Sequence, residues 1–447
     1  MSEVEVRQNG LTPGARIAIL VVAALGWFFG GMQIGITNVA MRDAALDLLN
    51  RQQALDLAAY QSLATAEART PEEQSQLDAW NGVAGKWYAW YQCAFLFGAA
   101  IGGYVFGRLG DRLGRTRALA ISVVWFGGFT GLAYLVQSPG QLLAIRFLAC
   151  LGIGGTWPNG VALVSEAWDQ VARPVMASLI GMAGNVGIFV IGTLAAQVVV
   201  TPESWRWVML VGAMPILLGL ATWFLVKESP HWRSGVAGKS SDKASAWEVF
   251  QGKYRWVTLL GIGLATVPLV GGWGSANWMV PWASEIGAET GDASLKARVL
   301  QARSITSIIG SALAGLIACR LGRRRTYFLA SVGSLLVSLY VFWFSSPAAS
   351  DFLWMVAVLG LFNGLFFGWL PFFLPELFET KVRATGMGVS FNFGRIFTAF
   401  TLFVTGATLQ SVFGSFAEIG RVTSWVFVAG MLLILFAPDT SKRSLQD

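Results

Sequence analysis

Long apolar stretches alternate with short polar segments along the whole chain. Each stretch holds about 20 mostly apolar residues, the length of helix that crosses the ~30 Å hydrocarbon layer of a membrane. The pattern predicts twelve spans, at Ile17–Met41, Trp87–Phe106, Ala118–Val136, Gln141–Ser165, Val175–Val200, Trp207–Val226, Trp256–Trp282, Ser304–Ala318, Tyr327–Phe344, Phe352–Leu374, Ala384–Leu409 and Val422–Phe436. The chain is therefore expected to be an all-α membrane protein with twelve transmembrane helices.

Composition agrees with this pattern and gives the chain an orientation. Of the 447 residues, 55% are hydrophobic and 13% are charged, whereas a soluble protein carries about 25% charged residues. The net charge of +7 does not indicate nucleic-acid binding, because the basic residues lie in short loops between spans. With both termini in the cytoplasm, the inner loops and tails hold 21 of the 32 Lys and Arg, as the positive-inside rule requires. We expect a multi-pass protein of the cell (inner) membrane.

An eleven-residue basic string occurs twice, each time between two spans. The strings Gly107–Arg117 and Gly315–Arg325 are identical at six of eleven positions. A second pair of loops repeats at nearly the same offset, with Glu166 corresponding to Glu376. Two repeats at one offset indicate a duplicated chain, which is the usual construction of a secondary transporter.

The duplication divides the chain into two halves of six spans each. Residues 1–226 form the N-terminal half, residues 227–255 a cytoplasmic linker, and residues 256–447 the C-terminal half with its tail. The outer loop 42–86 is long and polar, and Thr70-Pro71 with Glu73 predicts a helix start within it. We expect one or two short surface helices there, as a solvated cap or as an element of substrate access. The linker segment at residues 246–250 is expected to lie along the membrane surface.

These strings resemble the major facilitator superfamily over essentially the whole chain. The Gly-x-Leu-x-Asp-Arg-x-Gly-Arg string within Gly107–Arg115 is similar to the signature of that superfamily. Arg146 followed by Gly152–Gly155, and Glu228–Trp232 after the sixth span, resemble the branch of sugar porters, sialate-type permeases and metabolite–proton symporters. The resemblance implies two pseudo-symmetric six-helix bundles, with a central site that works by alternating access.

Carboxylates that face guanidinium groups at helix ends form charge-assisted bonds, and such bonds can hold one face of a transporter shut. We predict a cytoplasmic gate made by Gly107, Asp111, Arg112, Gly114, Arg115, Glu166, Arg173, Arg320, Gly322, Arg323, Glu376 and Arg383. The second copy has Cys319 where the first has Asp111, so the gate is expected to be asymmetric. The alternative is that each arginine only sets the topology.

Acidic residues are absent from the middle of the predicted spans. All 25 Asp and Glu fall in loops, tails or span ends, and the single histidine, His231, lies in the linker. Proton-coupled transporters usually need a buried group that titrates near neutral pH. In the proton-coupled sugar porters that the chain resembles, an Asp of the first span partners the span-four Arg, but Arg146 has no obvious acid. This favours facilitated diffusion or exchange. Proton symport through Glu166 or Glu376 is the alternative.

Two arginines lie within predicted spans. Counted at ~1.5 Å per residue, Arg395 lies about 18 Å from Arg383, near mid-membrane, and Arg146 about 8 Å below the outer surface. A mid-membrane guanidinium indicates function and suits a carboxylate, such as a sugar acid, a sialate-like acid or a small organic acid. Arg395 corresponds to Asn185 in the repeat, so the two are expected to face each other across the cavity. The alternative is that both arginines are structural.

Amides and tryptophans within the spans complete the candidate site. Amides bind hydroxyl-rich solutes without charge, and tryptophans stack on sugar faces or anchor the helices at the interface. The Gly-rich stretch Gly271–Trp278 is expected to break the seventh helix near the cavity. The candidate solute-binding residues are Gln33, Asn38, Arg146, Trp157, Asn159, Asn185, Trp273, Asn277, Trp278, Asn363, Asn392 and Arg395.

The sequence lacks the motifs that are typical of several other classes of protein. The sequence has no Gly-x-x-x-x-Gly-Lys-Ser/Thr loop, no metal-ligand cluster and no nucleophile–base pair. We therefore expect no enzyme activity, no cofactor and no nucleotide or nucleic-acid partner. The predicted function is a monomeric permease for a sugar-like or organic-anion metabolite, with the lipid bilayer as its surroundings. A solute sensor that does not transport is the rival from another class.

Overall fold

The computed structural model of the chain describes residues 11–66, 68–168, 173–198, 200–229, 232–233, 247–275, 278–290, 292, 295–407 and 415–440. Four residues singled out in the sequence fall outside this description. They are Asn277 and His231 as a whole, and Arg173 and Trp273 in their side chains.

Helices form almost all of the described chain, in two groups. The first group contains α1 (Pro13–Arg51), α2 (Leu57–Thr65), α3 (Pro71–Leu113), α4 (Arg115–Leu132), α5 (Pro139–Ala167), α6 (Arg173–Gln197), α7 (Arg206–Ala213) and α8 (Pro215–Leu225). The second contains α9 (Tyr254–Leu269), α10 (Met279–Thr290), α11 (Leu295–Leu321), α12 (Arg323–Phe344), α13 (Phe352–Glu376), α14 (Arg383–Ala407), α15 (Phe416–Thr423) and α16 (Val426–Leu433).

The predicted twelve-span architecture is confirmed. In the described residues, eleven helical segments are long and apolar enough to cross a membrane, with α7 and α8 joined into one segment, and α15 and α16 into another. The twelfth is α14, a helix of 25 residues that carries Arg395 in its middle and packs against α3 and α9. Two six-helix bundles result, and each carries one copy of the repeated basic string.

The segment 42–86 is more helical than the sequence indicated. Helix α1 continues to Arg51 and α3 already begins at Pro71, so only α2 is a separate short helix. Thr70 forms the predicted capping box: its Oγ1 accepts from the Glu73 backbone N–H at 3.2 Å, and its own N–H donates to Glu73 Oε2 at 2.8 Å. Leucines and aromatic residues from the three helices share a small apolar core, which explains why the helices extend beyond the spans.

The bundles meet mainly where α3 of the first packs on α14 of the second and where α6 packs on α11. Helix α6 also packs on α13. At the first crossing two glycines touch: a Cβ on Gly388 would lie 2.0 Å from the backbone oxygen of Gly103. Backbones approach this closely only where neither residue has a side chain. Both crossings run toward the helix ends that carry the two basic strings, which we call the basic-turn end.

The seventh span is irregular where its glycines predicted a break. Helix α9 ends at Leu269, a π-helical turn follows at Val270–Ser275, and α10 begins at Met279. The linker segment contacts both bundles. Its Trp247 ring lies 6.4 Å from the Tyr104 ring, and its Phe250 ring lies 6.0 Å from the Phe393 ring. The segment therefore packs on one helix of each bundle.

Candidate functional site

At the basic-turn end, Asp111 binds the start of a helix that belongs to the other bundle. Its Oδ2 accepts from the Thr385 backbone N–H at 2.8 Å and from the Thr385 hydroxyl at 2.5 Å, and its Oδ1 accepts from the Ala384 N–H at 3.2 Å. Arg115 pairs with the same carboxylate at 3.2 Å. A carboxylate at a helix N-terminus satisfies unpaired N–H groups and the helix dipole, so Asp111 caps α14 and joins the bundles.

Beside this cap, Glu166 carries the second connection between the bundles. Its fully buried carboxylate lies 3.2 Å from Arg115 Nη2 and 2.9 Å from Arg383 Nη1, and the Ser229 hydroxyl also donates to it. Arg115 further donates to the Thr380 backbone oxygen at 2.6 Å. One carboxylate thus holds two guanidinium groups from different bundles, in a network that burial makes strong and costly to break.

The copy of this network in the second bundle is asymmetric, as predicted. Arg323 pairs with Glu376 at 2.9 Å, and Thr440 donates to the same carboxylate, all within the second bundle. Cys319, at the position of Asp111, is exposed. The described residues therefore place no carboxylate at this second position.

Other predicted gate residues divide between turns and exposed charges. Gly114 and Gly322 have φ of 105° and 85°, a backbone conformation that favours glycine. Gly107 faces the backbone of Ala384, where a Cβ would lie 2.6 Å from the carbonyl oxygen. Arg112 and Arg320 are exposed and do not join the network, because their positions on the helix surface point away from the bundle interface. The prediction that these two arginines belong to the gate is therefore corrected: each is an exposed charge at a helix end.

A cavity of about 120 Å³ lies between the bundles. Four of the predicted residues line it: Asn38, Asn185, Asn363 and Arg395. Asn185 comes from the first bundle and Arg395 from the second, so the residues that correspond in the repeat do share one cavity. Its other lining includes three aromatic rings, a second arginine and two serines: Trp27, Phe367, Phe391, Arg303, Ser304 and Ser307.

Arg395 is buried, with 3% of its surface exposed, and is held by aromatic rings. Its guanidinium carbon lies 5.3 Å from the centroid of the Phe95 ring and 5.4 Å from that of Phe391. Within the described part of the chain, its guanidinium has neither an ion-pair nor a hydrogen-bond partner, and Nη1 is a buried donor without an acceptor. Cation–π contacts hold the group without using its N–H donors, so these remain for a ligand.

Arg303 is the charged residue among the lining residues that the sequence did not predict. The predicted eighth span begins at Ser304 and leaves Arg303 in a loop, but α11 begins at Leu295 and carries Arg303 inside the bundle. The sequence does contain a signal for the earlier start, since a helical pattern of apolar residues begins at Leu295. The charged residues in the first turns of α11 interrupt the apolar run and make the span appear to start later. The described lining of the cavity thus contains two guanidinium groups and no carboxylate.

The amides on the lining are fixed by neighbours. Asn38 Oδ1 accepts from Gln92 Nε2 at 3.1 Å, which leaves the Asn38 amide nitrogen as a donor. Asn185 Nδ2 donates across the bundle interface to the Ser311 hydroxyl at 3.2 Å. The cavity therefore presents the amide donor of Asn38, from the first bundle, together with the guanidinium groups of the second.

Arg146 and Gln33 do not line the cavity, and their predicted role is corrected. Arg146 is fully buried, with Nη1 3.1 Å from Gln33 Oε1 and Nη2 2.8 Å from the Thr37 hydroxyl. Gln33 in turn donates to the Gly212 backbone oxygen at 2.9 Å. These bonds fasten α5 to α1 and α7, which is the structural alternative for Arg146.

Four more predicted residues are engaged in packing rather than in the lining. The Trp157 ring stacks on Phe391 with centroids 4.1 Å apart, and Trp278 stacks on Phe416 at 5.7 Å. Asn159 donates to the Phe106 and Gly155 backbone oxygens, both at 2.9 Å. Asn392 donates to the Gly154 backbone oxygen at 3.2 Å. Trp157 and Asn392 thereby contribute contacts between the bundles, because each side chain contacts a helix of the opposite bundle.

Known proteins are similar to this chain in sequence and in architecture. A sequence model of the Major Facilitator Superfamily matches residues 81–402. The chain is 29% identical to the cis,cis-muconate transport protein of Acinetobacter baylyi, over 77% of this chain and 83% of that protein. It is 29% identical to a probable 4-methylmuconolactone transporter of Cupriavidus pinatubonensis (78% and 81% covered) and 26% identical to a gentisate transporter of Corynebacterium glutamicum (67% and 68%).

Solved structures share the fold at low sequence identity. The proton:xylose symporter XylE superposes with a TM-score of 0.68 at 17% identity, over 96% of this chain and 98% of that one. The human organic anion transporter MFSD10 (TETRAN) gives a TM-score of 0.69 at 15% identity, over 95% and 100%. With two six-helix bundles, a central cavity and a family match across most of its length, the chain belongs to the major facilitator superfamily of multi-pass membrane transporters, a class without enzyme activity.

Proposed function

We propose that the chain carries a small planar organic anion across the inner membrane by alternating access, with both termini in the cytoplasm. The observation that supports this most directly is Arg395. Its buried guanidinium lines the central cavity, and its Nη1 has no acceptor in the described part of the chain. A buried guanidinium without a counter-charge is costly. A carboxylate ligand offsets that cost with bidentate, charge-assisted hydrogen bonds.

The shape of the cavity favours a planar solute over a sugar. Its volume of about 120 Å³ is comparable with the engineered cavities of ~150 Å³ that bind benzene. Trp27, Phe367 and Phe391 supply flat apolar walls, which pair well with a ring or a conjugated chain. Muconate and gentisate, named for two relatives, are carboxylates of this kind.

The two bundles would rock around this cavity. In the conformation described, Asp111 and Glu166 join the bundles at the basic-turn end, which we assign to the cytoplasmic side from the distribution of Lys and Arg. These contacts would form the cytoplasmic gate, closed here and open after rocking. Residues 1–226 and 256–447 would move as the two halves.

Facilitated diffusion or exchange is the mode of coupling that we propose. The lining supplies no carboxylate in the described residues, and the partner of Arg146 is the amide of Gln33. Proton symport through Glu166 or Glu376 would be the second mechanism, because both carboxylates are buried at the gate.

Thermal stabilisation of the purified full chain tests the solute class, because a ligand of the folded state raises apparent stability. The panel is gentisate, cis,cis-muconate, glucuronate, glucose and xylose, against wild type, Arg395→Gln and the control Arg298→Gln, an exposed arginine. Stabilisation by acids that only Arg395→Gln abolishes supports the proposal. Stabilisation by neutral sugars that Arg395→Gln retains overturns it. Uptake into proteoliposomes separates a transporter from a sensor, which would bind without uptake.

A further inference from the structure

Two guanidinium groups lie at different depths along the same cavity. Counted at ~1.5 Å per residue from the helix ends at Leu321 and Arg383, Arg303 lies roughly 27 Å and Arg395 roughly 18 Å from the basic-turn end. Arg303 is therefore about 9 Å nearer the opposite end of the bundle. Both residues line the one cavity, so their long side chains reach it from two levels.

Aromatic and small polar groups line the cavity near the two guanidinium groups and suit the body of a flat solute. Phe391 lines the cavity beside Arg395, and Ser304 and Ser307 continue the wall on which Arg303 stands. Aromatic faces bind a conjugated chain or ring, and a guanidinium binds a carboxylate in a planar, bidentate geometry. A small unsaturated diacid would place one carboxylate at each guanidinium and its apolar middle against the cavity wall. A monoacid of equal length would use only one.

We propose that Arg303 recognises a second anionic group of the solute, so that the site prefers dicarboxylates to monocarboxylates. This inference rests on the proposed function, in which Arg395 binds the first carboxylate. It adds a specificity-determining residue from the second bundle. The consequence is selectivity by charge number among solutes of one size and shape.

Matched pairs of acids test this selectivity. trans,trans-Muconate is compared with sorbate, and terephthalate with 4-methylbenzoate, since each pair differs only by a carboxylate in place of a methyl group. Affinities are measured by titration calorimetry on the purified full chain for wild type, Arg303→Gln, Arg303→Lys, Arg395→Gln and the exposed control Arg298→Gln. We expect wild type and Arg298→Gln to bind each diacid at least tenfold more tightly than its monoacid.

The variants distinguish the roles of the two arginines. In Arg303→Gln the diacid preference is expected to fall below threefold, with monoacid affinity changed less than threefold. Arg303→Lys should keep an intermediate preference, because lysine retains the charge without the bidentate geometry. Arg395→Gln should weaken both acids of each pair at least tenfold.

Other results would overturn the role of Arg303, the proposed function or both. Equal affinities for diacid and monoacid in wild type, or a tenfold preference kept in Arg303→Gln, would overturn the role of Arg303 and leave the proposed function standing. Failure of wild type to bind any of the four acids would overturn both. Should Arg303→Gln fail to fold, the wild-type ratio and Arg303→Lys still decide the outcome.

Discussion

The carboxylate of Asp111 and the first turn of α14 at Thr385 belong to different bundles, yet they are joined by two hydrogen bonds of 2.8 and 2.5 Å. A charge at the end of one bundle thus completes a helix of the other. In the proposed cycle, rocking of the bundles separates these atoms, so the cap would stabilise one conformation of the transporter only. The strength of the cap would then set how far the closed form is favoured.

Asp111→Asn should therefore open the basic-turn end. The change keeps the shape but removes the charge that faces the α14 N-terminus and Arg115, at a cost of roughly 1–2 kcal/mol. The measurement is the alkylation rate of Ser165→Cys, a fully buried position near the gate, in a chain whose three native cysteines are replaced. We expect about a 5–30-fold faster reaction. Asp56→Asn, which alters the surface cap of α2, is the control, and equal rates in both variants would contradict the role of Asp111.

Glu166 and Glu379 offer a matched comparison of a buried and an exposed ion pair. Glu166→Gln leaves Arg115 and Arg383 buried without their shared carboxylate, and we expect a loss of about 3–5 kcal/mol of stability. Glu379 pairs with Lys253 near the surface, so Glu379→Gln should cost less than about 1 kcal/mol. Thermal unfolding in detergent compares the two. Similar shifts in melting temperature would show that burial does not govern the network.

The titration of Glu379 is consistent with that modest role. Burial alone would raise the pKa of its carboxyl group, but hydrogen bonds from Lys253 and Tyr254 outweigh burial and hold the pKa below its ordinary value. A lowered pKa means that the pair contributes stability above the ordinary pKa and loses it as the pH falls through the lowered one. The Glu379→Gln variant should therefore differ from wild type at neutral pH and converge with it in acid.

Uptake should be insensitive to an imposed pH gradient. Arg146 bonds to the neutral side chains of Gln33 and Thr37 at 3.1 and 2.8 Å, so this pair has no proton to exchange. Initial uptake of gentisate into proteoliposomes is compared with and without an inward proton gradient, and the rates should agree within twofold. Accumulation against the solute gradient that collapses with a protonophore would instead favour symport through Glu166 or Glu376.

Phe391 should link solute affinity to the contact between the bundles. Its ring stacks on Trp157 at 4.1 Å and lies 5.4 Å from the Arg395 guanidinium. Phe391→Leu keeps apolar volume but removes both aromatic contacts, each worth about 0.5–1.5 kcal/mol. We expect weaker binding of gentisate and a lower melting temperature. Trp157→Phe retains an aromatic stack and serves as the control, which should lose stability without a comparable loss of affinity.

The sequence predicted the spans and part of the network at the basic-turn end, because both depend on local patterns. Apolar runs of spanning length and a repeated basic string are visible without a structure. Asp111 and Glu166 were also identifiable, since a carboxylate among arginines at a span end has few other uses. Their partners in the opposite bundle, such as Thr385, required the fold.

The lining of the cavity was harder to predict, because an amide in a span can face either a cavity or another helix. Asn185 and Asn392 are both mid-span asparagines, yet the first lines the cavity and the second bonds to the Gly154 backbone oxygen. Arg303 was missed for a different reason: charges in the first turns of α11 shift the apparent start of the span past it. Which face of a helix points inward is decided by packing, not by composition.

The contact between Gly103 and Gly388 suggests a practical use in structure determination. A methyl group at either glycine would meet the opposite carbonyl oxygen, at 2.7 Å or 2.0 Å, and would separate α3 from α14 like a wedge. Gly388→Ala cannot adopt the described conformation without movement of a backbone, whereas the proposed rocking would remove this obstacle by separating the bundles. The variant is thus a candidate for trapping the other end state of the cycle in crystals or on grids, where wild type would return to the closed form.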